Sequence, residues 1–310
     1  MTAPSPEAWT PRRGETAADR IAELDPAEDY EEIARLLYAY EFSWDIERAL
    51  EFALFRTYAV PSISDLLART GEFEARPRQR YDDTELILAE AIENGLDSDR
   101  GGRAIARINE IHNRYRISNA DMLYVLSTFI CEPIRWLDRF GRRPMTASEQ
   151  RAWFLYYRGL GVRMGIGDIP DELDQMVALN EAHERERFRF APTNHRIGAA
   201  TRDLLLGFYL PRALIPMGRP AVHAFLDAPL RVAMGFPPAP AWLARALPAA
   251  LRLRAVLLRR LPTRRRPRNL TKLPRPTYPD GYLIERLGTF RPGPAGAPNE
   301  DGAKTRDPVY

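Results

Sequence analysis

Nowhere along this chain do apolar and polar residues alternate with the period of two that marks a half-buried strand. Apolar residues return instead at steps of three and four, so the faces the sequence can bury are helical. An all-α protein is predicted, divided by Pro, Gly and capping residues. Residues 29–56 keep the rhythm through Ile33, Leu36, Leu37, Tyr40, Trp44 and Phe55, as one long helix or two short ones, until Pro61 interrupts. A short helix after Ser62 stops near Gly71. Asp82 and Glu85 have capping-box spacing, which starts a helix after Arg80; Asn94-Gly95 ends it. Ser98, Gly101 and Gly102 precede the next helix, whose inner face carries Ile105, Ile108, His112, Tyr115 and Arg116. Ser118-Asn119 caps a helix that runs toward Phe140, kinked or restarted at Pro133. Thr146 and Glu149 form a second capping box, ahead of Trp153, Phe154, Tyr157 and Leu160. A more polar helix follows Ile169-Pro170 to about Phe188, and another runs from about Asn194 to Tyr209. Pro211, Pro216, Pro220 and Pro229 chop the next stretch, and Leu243 to Leu261 reads as an amphipathic helix with an Arg-rich face.

At 310 residues the chain can bury one large core. The expected organisation is a loose tail over residues 1–25, one domain over 26–290 and a Gly-, Pro- and Ala-rich disordered tail over 291–310. The uncharged runs Met122–Cys131 and Leu204–Pro211 fall short of the roughly 20 apolar residues of a membrane-spanning helix. Arg12-Arg13 is followed by no apolar run, so neither a general nor a twin-arginine secretion signal is expected. The location expected is cytoplasmic. Net charge is only +3, yet residues 245–275 hold no Asp or Glu and centre on Arg264-Arg265-Arg266. Such a run suits phosphates in lipid headgroups or nucleic acid, or is simply a solvated basic segment. Peripheral membrane contact through residues 245–268, where substrate could be collected, is the expected use, with no nucleic-acid partner. Cys131 is the lone cysteine, which excludes an intramolecular disulfide and a cysteine zinc site.

Most catalytic constellations are missing. His183-Glu184 begins like a metalloprotease helix, but Arg187 stands where the second His is needed. His195 and His223 have no ligand partner at useful spacing. There is no phosphate-binding Gly loop, no Gly-x-Ser-x-Gly elbow and no repeated Glu-x-x-His of a di-iron bundle. Asp82-Asp83 reads as helix-entrance capping. Gly159 and Gly161 lie late in their helix, where a flat ligand or a neighbouring helix can approach. His112 remains. An inward imidazole either hydrogen-bonds a neighbour or ligates a metal, and heme iron asks for only one such ligand.

Four ordered stretches carry a family resemblance: Arg80-Tyr-Asp-Asp-Thr84, Arg107-Ile-Asn-Glu-Ile-His112-Asn-Arg-Tyr-Arg116, Arg142-Arg-Pro-Met-Thr and Gly161-Val-Arg-Met-Gly-Ile-Gly-Asp-Ile-Pro170. With the closing Tyr278-Pro-Asp-Gly-Tyr282, the chain resembles the mpaB/rubber-oxygenase catalytic domain family over about residues 30–290. That resemblance implies a globin-like helical bundle enclosing a heme b pocket, and a dioxygen-using oxygenase that cleaves a hydrophobic, isoprenoid or lipid-like alkene. It makes His112 the iron ligand and Arg116 a second basic residue of the cofactor motif. Arg80 and Thr84 become the pocket pair on the other side of the heme. Arg80 would meet a propionate or polarise a bound oxidant, and Thr84 would donate a hydrogen bond to that oxidant. Rubber-cleaving members carry a Lys beside the pocket Thr, where this chain has Asp83. With no secretion signal either, polyisoprene is not the expected substrate. A heme-binding protein without turnover and a non-heme helical lipid-binding module remain the alternatives.

Overall fold

The computed structural model describes residues 9–288. Among them stand fourteen α-helices and no strand; one isolated bridge joins Arg275 to Tyr278. The first helix, α1 (Ala17–Ala22), lies where the sequence suggested a loose tail. Thr16 and Asp19 close a capping box over it, and Ala17 and Ile21 are buried, so this part of the 1–25 tail is packed. Trp9 stacks edge-on against Tyr40 at 5.1 Å. The expected C-terminal tail over 291–310 lies outside the described residues.

The stretch from 29 to 58 is two helices, α2 (Tyr30–Leu36) and α3 (Ser43–Tyr58), joined by a π-helical turn, Leu37–Glu41. Pro61 opens α4 (Pro61–Thr70), which ends where Gly71 takes a left-handed φ of 69°. After the single turn α5 (Glu72–Ala75) comes α6 (Pro77–Asn94). It begins before Arg80, not after it. Pro77 sits in its first turn, where a missing N–H costs nothing, and Asp82 and Glu85 fall inside the helix. Their spacing of three is therefore not a cap: both carboxylates pair with Arg275 from the far end of the chain.

Helix α7 (Asp99–His112) is capped by Ser98, whose Oγ accepts from Gly101 N at 3.0 Å. The glycines thus belong to its first turn. A side chain at Gly101 would run into the Gly95 carbonyl, so glycine lets α7 start hard against the end of α6. The helix stops at His112, which leaves Tyr115 and Arg116 on the following turn. Next, α8 (Asn119–Phe140) passes through Pro133 as one element of 22 residues, about 33 Å long at 1.5 Å per residue. The Thr146 capping box opens α9 (Ala147–Arg163) as expected, with Glu149 closing back on Thr146 N at 2.7 Å. A side chain at Gly161 would meet Leu126 of α8 and Ile169, so this glycine serves helix packing.

The remaining helices are α10 (Leu173–Arg187), α11 (Pro192–Gly207), α12 (Ile215–His223), α13 (Ala228–Ala233) and α14 (Ala241–Leu258). The main core gathers α2, α8 and α9 around the fully buried Trp153 and Tyr156. A second cluster joins α3, α11 and α13, and a third sets α6 and α7 against the C-terminal segment through Leu86, Ile108, Ile284 and Leu287. Cys131 is buried, and burial pushes its thiol up to about 12, which makes it inert.

Candidate active site

A cavity of about 540 Å³ opens between α4 and α6 on one side and α7 and α8 on the other. That volume lies in the roughly 300–1,000 Å³ range of small-molecule sites. Ile108, Ile111, Val125, Leu126, Phe129 and Leu160 make most of its wall apolar. Arg80, Thr84, His112 and Arg116 all line it, so four residues taken from two separate stretches of sequence meet in one chamber.

The helix α6 positions the first pair. Arg80 and Thr84 stand one turn apart on the same face, since the helix begins at Pro77. Arg80 Nη1 donates to Thr84 Oγ1, and Thr84 Oγ1 donates to the Arg80 carbonyl at 2.9 Å. The Thr84 proton is therefore used within the helix, not aimed into the cavity. The guanidinium also lies 5.5 Å over the Phe73 ring. Asp83, one residue round the helix, does not line the cavity. It is buried and accepts from the Tyr278 hydroxyl.

His112 ends α7 in the cavity wall. Its Nδ1 is buried and has no hydrogen-bond partner. Burial, reinforced by the Arg80 charge, pulls its pKa down to about 4, so the ring is neutral near pH 7. Arg116 is exposed on the turn beyond and lies with Arg69, Ser62, Asp65 and Ser118 at the mouth.

Several lining residues had escaped notice in the sequence. Pro77, Tyr81, Ile87 and Leu88 follow the same helical rhythm as Arg80 and Thr84 on α6, and that spacing alone could have found them, whereas Phe73 comes from α5. The Tyr81 hydroxyl reaches Glu51 at 2.8 Å and Glu85 at 3.1 Å behind the wall. None of the other histidines lines the chamber. His183 stacks on Tyr124 at 4.3 Å, His195 Nδ1 lies 3.0 Å from the Met234 carbonyl, and His223 stacks on Phe236 at 4.7 Å. Among the described residues, no group of three or more His, Cys, Asp or Glu side chains is placed to hold a metal ion.

A helical bundle whose apolar chamber is served by a single unpartnered imidazole defines the class. The family model described as ER-bound oxygenase mpaB/B'/rubber oxygenase, catalytic domain, matches residues 49–260, and the chain belongs to this family. An ER-bound oxygenase mpaB' of Penicillium brevicompactum is 30% identical over 247 residues, which cover 72% of this chain and 57% of the relative. An ER-bound oxygenase mpaB of Penicillium roqueforti is 30% identical over 213 residues, 63% of this chain and 71% of the relative. The match therefore spans little more than half the length of the first of these relatives. No helix among the described residues is long and apolar enough to cross a membrane.

Proposed function

We propose that this chain is a heme b-dependent oxygenase, an oxidoreductase that uses dioxygen to cleave a carbon–carbon double bond in a hydrophobic, isoprenoid or lipid-like substrate. The observation that supports this most is His112: a neutral ring whose buried Nδ1 has no partner, set in an apolar wall. An unsatisfied buried nitrogen is costly, and one axial ligand is what heme iron requires of a protein. The cavity residues fit the group, with His112 to hold the iron and Arg80 and Arg116 as cations for its carboxylates. Heme, when bound, supplies the activation of dioxygen. The chain's own residues do the rest. Thr84 fixes the Arg80 guanidinium, so its charge stands in one place without waiting for ligand. Ile111, Val125, Leu126 and Phe129 exclude water and offer the apolar surface that an alkene chain buries. Asp83, held by Tyr278, leaves no side chain from that position to compete for the chamber. A cytoplasmic location belongs to the same proposal.

Absorption spectroscopy of the full chain after addition of hemin tests it. A Soret band that His112→Ala abolishes is the expected result, with oxygen uptake on an unsaturated lipid. A band that survives the substitution overturns the ligand assignment. No band at all leaves the lipid-binding module, and a band without oxygen uptake leaves the heme carrier.

A further inference from the structure

Nine of the thirteen large apolar side chains exposed among the described residues fall between 209 and 261. They are not scattered there. On α14 the inward stripe is Leu247, Pro248, Leu251, Ala255 and Leu258, with Arg254 bound to Asp45 at 3.0 Å. The opposite ridge runs Trp242, Ala246, Ala249, Leu253 and Leu257, at helical spacing and open to solvent. Trp242 is 69% exposed and Leu253 60%. Beside it α12, which packs against α14, presents Met217 at 78% exposure, preceded by Leu214. The solvent side of α14 thus carries an apolar ridge beside its Arg-rich face. The arginines form its flank, with Arg245, Arg252 and Arg259 at intervals of seven, and its end, with Arg264, Arg265 and Arg266 just beyond.

An apolar ridge edged by cations is the pattern of a helix that lies in a lipid interface, its rings and leucines in the acyl boundary and its guanidinium groups among the headgroups. The sign of charge selects the occupant. Residues 228–279 contain no Asp or Glu and twelve Arg or Lys, of which Arg254, Arg268 and Arg275 are paired with carboxylates from other parts of the chain. A second copy would bring the same cations to the face and no carboxylate from this segment to offset them. An anionic bilayer offers both apolar depth and negative charge. We infer that α12 and α14 form a docking face for an anionic phospholipid surface, independently of what the cavity binds. Phe140 and Leu251 pack the inner side of α14 against the C-terminal end of α8, whereas Ser118 and Asp121 put the cavity mouth at the other end, about 33 Å away. The docked protein holds its mouth off the bilayer, so the basic helix does not feed the chamber directly.

Flotation of the full chain with phosphatidylcholine vesicles, with and without 30 mole per cent phosphatidylserine, tests the inference. Binding to the anionic vesicles alone is expected, weakening with salt. Each of Arg245→Glu, Arg252→Glu and Arg259→Glu should lower partitioning at least about fivefold. Trp242→Ser with Leu253→Ser should abolish it while the circular dichroism spectrum is unchanged. Quenching of tryptophan emission by brominated acyl chains in the unaltered protein supports insertion without any variant. The inference is overturned if the chain stays with neither vesicle, or if flotation survives both sets of substitutions. It is equally overturned if sedimentation shows a dimer that the Trp242 and Leu253 changes dissociate, or if the face retains RNA in place of vesicles.

Discussion

Replacing Asp82 by Ala should unlatch the C-terminal segment from the helix that carries Arg80 and Thr84. Asp82 is 0% exposed and accepts from Arg275 Nη1 at 3.0 Å, Thr277 Oγ1 at 2.5 Å and Arg78 Nε at 2.8 Å. Breaking a buried ion pair costs about 3–5 kcal/mol when the remaining charge is stranded. Arg275 is not wholly stranded, because it keeps Glu85, so the lower end applies. The Arg78 bond adds little, below about 1 kcal/mol, since that side chain is 39% exposed. A loss of about 3 kcal/mol follows, or a fall of about 1 M in the urea midpoint at a slope of about 3 kcal/mol/M. Far-ultraviolet circular dichroism against urea measures it, and trypsin should cut faster near Arg275 in the variant. Asp82→Asn should lie between the two. A midpoint displaced by less than about 0.3 M would refute the claim that this carboxylate ties the two ends of the chain.

Three further outcomes are expected. Gly101→Ala should cost about 1–3 kcal/mol by forcing α7 away from the Gly95 carbonyl, and it should weaken hemin uptake as His112 moves; Gly161→Ala should cost less, because it meets only side-chain ends of Leu126 and Ile169. In the protein without hemin, the His112 ring resonances should not shift between about pH 8 and 5.5, and a titration midpoint above about 6 would contradict its burial beside Arg80. Since its folded pKa lies below the unfolded value, the unfolded chain binds the extra proton in between. The stability His112 contributes is therefore whole above about pH 6.5 and lost as pH falls toward 4, and urea midpoints compared between the native chain and His112→Gln should show that slope in the former alone.

Elements whose signals are local were legible in the sequence. Thr146 and Glu149 cap α9 because both partners lie within one turn, and Gly71 stops α4 for the same reason. Asp82 and Glu85 show the limit. A spacing of three serves a cap and an ion-pair ladder alike, and the arginine that decides between them is about 190 residues away. The family motifs were legible as motifs but not as roles. Arg107 gives its Nε to the Leu287 carbonyl at 2.8 Å, and Arg143 grips both Glu149 oxygens at 2.7 Å. Both hold the frame, and neither enters the chamber. The meeting of Arg80, Thr84, His112 and Arg116 came from the resemblance, since no periodicity links α6 to α7 across the turn between them. Periodicity marks α14 as amphipathic but does not say which leucines face inward: Leu247 and Leu251 pack, and Leu253 and Leu257 stand outward.

The C-terminal latch also sets a timetable for the chain as it leaves the ribosome. Tyr278 and Tyr282 give their hydroxyls to Asp83 and Glu90, and Leu287 receives Arg107, so α6 and α7 wait for partners made nearly two hundred residues later. Until then Asp82 and Glu90 rely on the nearby Arg78 and Arg100, without the groups from residues 275–282 that complete their hydrogen bonding. A nascent polypeptide of this kind completes the backing of its chamber wall late, when the last thirty or so described residues arrive behind α6 and α7.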